Sequence, residues 1–531
     1  MDRLFRTERE HRTLGSVLHR QAAARPEAEF LITDDHVWTY GQFEQWTNRI
    51  AAGLQGLGIE QGDRVLVMLP NCAEFVAVWL ACAQIGAVEV PVNTAYKGML
   101  LEHIVSDSGA KVAVIASEYL PRFAPDSDAF AGLRHLIACG SAPLAYAEPR
   151  LHDWSVLESD QEPDRPTVSP TDQMAILYSS GTTGRSKGIM LSHNYFWFSG
   201  VRCADHGRVT DNDRLYTCLP LFHANAQCLT LMTGLVAGAS VILDSRFSAS
   251  RFWDRLRRCR ATRFNYIGGM IPILLKNPPS DSDRSHHVEF ALGAAAPADQ
   301  FRLFEERFGV TLLESYGQTE NCVALANPID ERRVGSVGKA ICGYDVALVD
   351  DHDEPVPVGE IGELVFRPRF PDIMMTGYHG MAEATLEASR NLWFHSGDLL
   401  RCDDDGYFYY VDRKKDAIRR RGENISAFEV ELVVNAHPDV IESAAIAVPS
   451  EVGEDEVMIF VVRRPRSQLD ELKLIEYCDS RMPYFAVPRF VEFREELPKT
   501  PTHRVEKYRL RAEGRTARTW DREASSFELT R

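Results

Sequence analysis

The chain has 531 residues, of which 45% are apolar and 25% charged, the balance of a globular protein rather than a disordered or fibrous one. That length suggests several folding units, or one large core with a small appended domain. A net charge of −17 disfavours nucleic acid or an anionic membrane surface as partner.

In chain order, Thr39 is the first clear helix N-cap, with Gln42 three residues on. Phe43, Trp46, Ile50, Leu54 and Leu57 then follow along one helical face. Gly56-Leu57-Gly58 ends that helix; it follows no strand, so it fails as a dinucleotide fingerprint. Residues 64–69 read as a strand, and 73–88, apolar nearly all round, as an interior helix. Further strands are expected at 112–115, 174–178, 346–349, 364–366 and 407–411. A charged break, Asp412-Arg413-Lys414-Lys415-Asp416, comes next. Beyond it, 443–448, 456–462 and 487–493 read as strands and 469–482 as a helix. The alternation predicts an α/β architecture followed by a compact α+β unit.

Eleven cysteines occur without a CxxC spacing, which fits reduced thiols in the cytoplasm. The opening, Met1 to Glu8, is too charged for a signal peptide, and the longest apolar run, 75–83, is too short for a membrane span. A cytoplasmic protein without a membrane span is therefore expected.

The strongest local signal is Tyr178-Ser179-Ser180-Gly181-Thr182-Thr183-Gly184-Arg185-Ser186-Lys187-Gly188, directly after an apolar strand pattern. Its glycines let backbone N–H groups approach a ligand, and its hydroxyls and Lys187 add donors. Donors without an acidic residue suit a polyphosphate. It is not a Walker A loop, because Ser186 stands where that motif has Gly and Gly188 follows the lysine.

Other motifs follow: Leu219-Pro220-Leu221-Phe222-His223, Gly293-Ala294-Ala295, Tyr316-Gly317-Gln318-Thr319-Glu320, Gly362-Glu363-Leu364 and Phe394-His395-Ser396-Gly397-Asp398. The charged break at 412–416 and Arg421-Gly422-Glu423-Asn424-Ile425-Ser426 complete the series. In this order, over about residues 30–510, they resemble the adenylate-forming, AMP-binding superfamily. That superfamily includes acyl- and aryl-CoA ligases, luciferases and the adenylation domains of peptide synthetases. The stretch Phe222-His223-Ala224-Asn225-Ala226-Gln227 is similar to stand-alone acid–CoA ligases of the carnitine/crotonobetaine type. The resemblance implies a large N-terminal domain of layered α/β subdomains over 1–412. It also implies a hinge over 413–416, centred on Lys415, and a small mobile C-terminal α+β domain over 417–531.

It further implies a reaction that uses ATP, Mg2+ and coenzyme A. A small carboxylic acid would attack the α-phosphate and expel pyrophosphate, and a thiol would then displace AMP. Ser179, Ser180, Gly181, Thr182, Thr183, Gly184 and Lys187 would hold the β- and γ-phosphates. Gly293, Ala294, Ala295, Tyr316, Gly317 and Gln318 belong to the nucleotide site, with Tyr316 stacking on adenine. Thr319 would touch the α-phosphate, Glu320 would hold Mg2+, and Asp398 would accept the ribose hydroxyls with Arg413 beside it. Arg421, Gly422 and Glu423 would border the pantetheine path. The acid pocket is expected from His223, Asn225, Gln227, Tyr266, Gly268, Gly269, Met270, Gly293 and Ala294, with Gly268 and Gly269 leaving room and Tyr266 as an aromatic wall. Arg504, Thr319, Glu320, Lys187 and His223 form the expected catalytic set.

The chain departs from the family at one place that bears on this chemistry, and at Ser186 and Val411-Asp412, which bear on it less. In Pro498-Lys499-Thr500-Pro501-Thr502-His503-Arg504-Val505, His503 and Arg504 replace a Gly-Lys pair whose lysine bridges carboxylate and α-phosphate. Arginine keeps the charge but in a planar fork. Ser186 stands where proline is usual. The changed Arg504 segment leaves alternatives: another anion or acceptor, such as nitrite activation with diazotisation of an aryl amine, amide formation, or loading of a carrier protein. A non-catalytic nucleotide-binding relative is the second alternative. A monomer or homodimer is expected.

Overall fold

Thr39 caps its helix in the way its sequence predicts. Its side chain accepts from the Gln42 N–H at 3.3 Å, the Gln42 side chain accepts from the Thr39 N–H at 3.0 Å, and the helix Tyr40–Gly56 follows. The computed structural model describes residues 7–123, 127–141, 150–179, 186–413, 417–450, 453–499 and 505–530.

The helix expected over 73–88 is three residues shorter than that, and a strand begins at Val88. The helix Ala73–Ile85 stops at Gly86, whose φ of 69° is in the left-handed region, and Val88–Pro91 is a strand parallel to Arg64–Met68. A continuous apolar run does not distinguish a buried helix from a buried parallel strand. The expected strands at 112–115, 174–178, 346–349, 364–366 and 407–411 form as Val112–Ala116, Gln173–Ser179, Tyr344–Val349, Ile361–Pro368 and Phe408–Arg413.

The chain divides into two compact units. The larger comprises Met1–Thr94, Val105–Leu177 and Gly188–Asp412; the smaller comprises Ala95–Ile104, Tyr178–Lys187 and Arg413–Arg531. Among the described residues, one sheet has nine strands and runs in space from Lys339–Ala340 through Thr311–Tyr316, Phe290–Ala294, Arg263–Ile267 and Arg214–Thr217 to Val37–Thr39. Its central pairings are parallel. A second sheet has eight strands and places Gln173–Ser179 between Lys187–Ser192 and Val88–Pro91. A four-stranded antiparallel sheet holds Ile361–Pro368 and Phe394–Cys402. One apolar core runs through the larger unit, from Leu14 and Phe43 to Phe366 and Leu400. No helix of the described residues is long and apolar enough to cross a membrane.

In the smaller unit, Val440–Pro449, Asp455–Arg463, Phe490–Arg494 and Trp520–Asp521 form a four-stranded sheet, with helix Glu471–Asp479 capped by the Asp470 side chain. The hairpin Ala417–Arg420/Glu423–Ser426 precedes the helix Ala427–Asn435. Ala444, Ile446, Met458, Phe460 and Phe490 make its core.

Candidate active site

In the larger unit, the strand Thr311–Tyr316 runs out of the nine-stranded sheet into a loop that holds Gly317, Gln318, Thr319 and Glu320. The Tyr316 hydroxyl donates to Asp398 Oδ2 at 2.5 Å, and the Gln318 amide donates to the same oxygen at 2.9 Å and to the Ser396 carbonyl at 2.8 Å. Asp398 is only 2% exposed. Two donors therefore stabilise a carboxylate that burial alone would disfavour. Gly317 is required sterically, since a Cβ there would lie 1.5 Å from the Cys322 carbonyl oxygen. The Tyr316 ring stacks on Phe366 with centroids 6.2 Å apart.

The next two residues are fixed from below. The fully buried Tyr195 donates from its hydroxyl to the Thr319 carbonyl at 2.7 Å. Tyr378 donates to Glu320 Oε1 at 3.0 Å, and the Met375 N–H donates to the Glu320 carbonyl at 2.8 Å. Burial and the neighbouring carboxylate push the Tyr378 phenol well up, so it remains a donor.

Gly293 and Ala294 end the strand Phe290–Ala294, and Ala295 follows with φ 64°. The Glu314 carboxylate gathers this turn, accepting from the Ala295 N–H and the Ala296 N–H at 3.0 Å each and from the Tyr266 hydroxyl at 2.5 Å. Tyr266 is fully buried and spends its hydroxyl on Glu314. A Cβ at Gly268 would lie 2.0 Å from the Ala295 carbonyl oxygen, and one at Gly293 would lie 2.3 Å from that of Tyr266. The missing side chain of Gly268 makes room for the Ala295 backbone. Tyr266 likewise serves as internal support for this turn, with no surface open to a substrate. Gly269 is the N-cap of the short helix Met270–Leu275, and Met270 is buried.

His223 is half-buried in the turn before a π-helix, Asn225–Met232, with its ring 4.8 Å from that of Phe222. The wider turns of a π-helix are frequent at functional sites. Asn225 accepts from the Asn265 amide at 3.1 Å, while Gln227 donates to Glu89 Oε2 at 3.0 Å. Burial pushes the Glu89 carboxyl up to about 8.

In the smaller unit, Ser179 is half-buried at the end of its strand, and Lys187 opens the strand Lys187–Ser192. Arg421 and Gly422 form the hairpin turn with φ 53° and 82°, ahead of Glu423, and the Gly422 N–H donates to Glu454 Oε2 at 3.1 Å. Ser180, Gly181, Thr182, Thr183, Gly184, Lys415, His503 and Arg504 lie outside the described residues, as does the side chain of Arg413.

Sequence reading missed Tyr195, Tyr378, Glu314 and Glu89. The last two carried a signal: each is a lone carboxylate inside an apolar strand pattern, Leu312-Leu313-Glu314-Ser315 and Val88-Glu89-Val90. The tyrosines carried none, because their partners lie far along the chain.

The AMP-binding enzyme family matches residues 18–379, and the AMP-binding enzyme C-terminal domain matches 429–504. A crotonobetaine/carnitine–CoA ligase of Salmonella paratyphi C is 33% identical over 482 residues, 89% of this chain and 93% of that protein. Among solved structures, an anthranilate CoA ligase in complex with anthranoyl-AMP is 26% identical with a TM-score of 0.72, covering 94% of this chain and 97% of that one. A Mycobacterium tuberculosis fatty acyl CoA synthetase is 28% identical with a TM-score of 0.69, covering 95% and 99%.

Proposed function

The chain belongs to the AMP-binding enzyme family, and from that premise we propose that it activates a small carboxylic acid with ATP and passes the acyl group to coenzyme A. It is an AMP-forming ligase. In the first step the acid's carboxylate oxygen bonds to the α-phosphorus while the bond to the β-phosphate oxygen breaks and pyrophosphate leaves. In the second, the thiolate of coenzyme A attacks the acyl carbon, the bond to the phosphate oxygen breaks, and AMP leaves.

The observation that carries this reading is the buried Asp398 carboxylate, held by Tyr316 and Gln318 on the loop that also carries Thr319 and Glu320. An acceptor fixed in this way suits the two adjacent hydroxyls of a ribose. Thr319 would meet the α-phosphate, and Lys187 with the hydroxyl-rich segment before it would hold the outer phosphates. The Glu320 carboxylate, oriented by Tyr378, is the hard oxygen donor that Mg2+ accepts alongside phosphate oxygens. Mg2+ bound there would neutralise charge that develops on the leaving pyrophosphate. Two anions meet in the first step, so the positive charge of Arg504 would serve where the family has lysine. His223 and Asn225 would line the acid side, and Arg421 to Glu423 the thiol side. Lys415 would be the hinge between domains at 1–412 and 417–531, and the cytoplasm the site of action.

The CoA-ligase relatives support coenzyme A as acceptor over an amine, nitrite or a carrier protein. The deciding experiment is acid-dependent pyrophosphate release from ATP and Mg2+, run with and without coenzyme A across a panel of acids. Release that needs an acid, with thioester formed only when coenzyme A is added, is expected. Product formed without coenzyme A, from nitrite and an aryl amine for instance, would overturn the ligase assignment, and background release across the whole panel would favour a non-catalytic role.

A further inference from the structure

Ser186 joins the hydroxyl-rich segment to Lys187, and in the smaller unit all of its polar groups are engaged. Its N–H donates to Glu429 Oε1 at 2.8 Å, and its hydroxyl donates to the same oxygen. Its carbonyl oxygen meets His103 Nε2 at 2.9 Å. Glu429 sits in the first turn of the helix Ala427–Asn435 and is 6% exposed. It also lines a small, mostly apolar cavity with Tyr96, Leu100, Ile425 and Phe485. Burial among these groups raises its carboxyl to about 7 even with the two donations from Ser186 acting to lower it. A buried carboxyl persists at such a place only with donors turned to it. Proline at position 186 would bring neither the N–H nor the hydroxyl. The contact therefore depends on a residue at 186 that has both groups.

We propose that Glu429 is a positioning residue for nucleotide binding: by holding Ser186 from both its N–H and its hydroxyl, it fixes the chain at the point where Lys187 begins its strand. The inference rests on the reading that Lys187 binds the outer phosphates of ATP. A lysine ammonium is a point charge on a flexible stem, so its placement depends on how firmly its backbone is held.

The test is equilibrium ATP binding by calorimetry, alongside steady-state pyrophosphate release, for Glu429→Leu, Glu429→Gln, Ser186→Pro, Ser186→Ala, Lys187→Ala and the double variant Ser186→Pro/Glu429→Leu. Glu429→Leu and Ser186→Pro are expected to weaken ATP binding about tenfold, the scale of a lost hydrogen bond to an ionisable group. KM for the acid should stay within about twofold. Glu429→Gln, whose amide oxygen still accepts, should stay within about threefold of the parent, and Ser186→Ala should fall between. The double variant should be no weaker than either single one, because both break the same contact. ATP affinity unchanged in Glu429→Leu and Ser186→Pro, with Lys187→Ala weakened, overturns the proposal while leaving the phosphate reading intact. Equal losses for ATP, acid and coenzyme A overturn it too, since they mark a purely structural role. If Glu429→Leu does not fold, the Ser186 variants give the same decision. An unchanged affinity in Lys187→Ala overturns the phosphate reading itself, and this inference with it.

Discussion

Gln227 donates to Glu89 at 3.0 Å inside the larger unit, and neither side chain has any exposed surface. Among the described residues, Glu89 Oε1 and Gln227 Oε1 have no hydrogen-bond partner. The strand residue Glu89 thus holds one turn of the π-helix that follows His223, by a single bond in an apolar surround.

The Glu89 carboxyl, raised from 4.5 to about 8, sets a pH dependence of stability. Between those values the folded protein keeps a proton that the unfolded chain has lost. Stability therefore falls as pH rises through that window, by at most ~1.4 kcal/mol per pH unit. Glu89→Gln has no such proton, so its melting temperature relative to the parent should rise steadily from pH 5 to pH 8. A constant difference across that range would show that Glu89 titrates normally. Glu89→Leu, which strands the Gln227 amide, should cost about 1–3 kcal/mol at pH 5, and less as pH rises, because only the parent loses stability through this window.

Removing the Tyr378 hydroxyl should loosen Glu320 without touching the core. Tyr378→Phe is expected to raise the Mg2+ concentration for half-maximal pyrophosphate release several-fold, while the KM for the acid holds. The melting temperature should fall by no more than a lost hydrogen bond, about 1 kcal/mol, allows. An unchanged Mg2+ requirement would remove Glu320 from the metal site.

Gln318→Leu takes a donor from a buried carboxylate. The loss should weaken ATP binding about tenfold, near 1.5 kcal/mol, through a less firmly held Asp398. Direct titration with ATP checks this, and Asp398→Ala should do at least as much. If the acid's KM moves and ATP affinity does not, Asp398 serves another partner than the ribose.

Gly317→Ala places a methyl group 1.5 Å from the Cys322 carbonyl oxygen, and that atom is backbone. It cannot rotate away, so a destabilisation of at least about 3 kcal/mol is expected in thermal or denaturant unfolding. A variant as stable as the parent would show that the loop shifts freely.

Arg504→Lys restores the charge shape that relatives use. It should preserve or raise acid-dependent ATP–pyrophosphate exchange, the readout of the first step alone. A complete loss would show that the guanidinium's two-pronged geometry is itself needed.

Local signals in the sequence were legible where the physics is local. The Thr39–Gln42 cap and the strand at Arg64–Met68 each depend on neighbours within a few residues. The loop Tyr316 to Glu320 was legible as a motif, and its partner Asp398 as another, but the shared oxygen that joins them to Gln318 was not. The helix expected over 73–88 ends at Ile85, and Val88 opens a strand, because a strand buried on both faces continues the same apolar run. The neighbours of Tyr266 and Gly268, Glu314 and Ala295, were not legible because they come from other parts of the chain. Glu429 was unremarkable in sequence, since a glutamate in a first helical turn needs no tertiary reason.

The make-up of the smaller unit bears on how these enzymes can be cut and recombined. Residues 95–104 and 178–187 cluster with the C-terminal segment, and Tyr96 and Leu100 share apolar walls with Ile425 and Phe485. A fragment beginning at Arg413 would leave those walls open to water and invite self-association. A chimera that exchanges only the C-terminal part between relatives would set foreign residues against Tyr96, Leu100 and Ser186. Such grafts should carry the two short early segments with them.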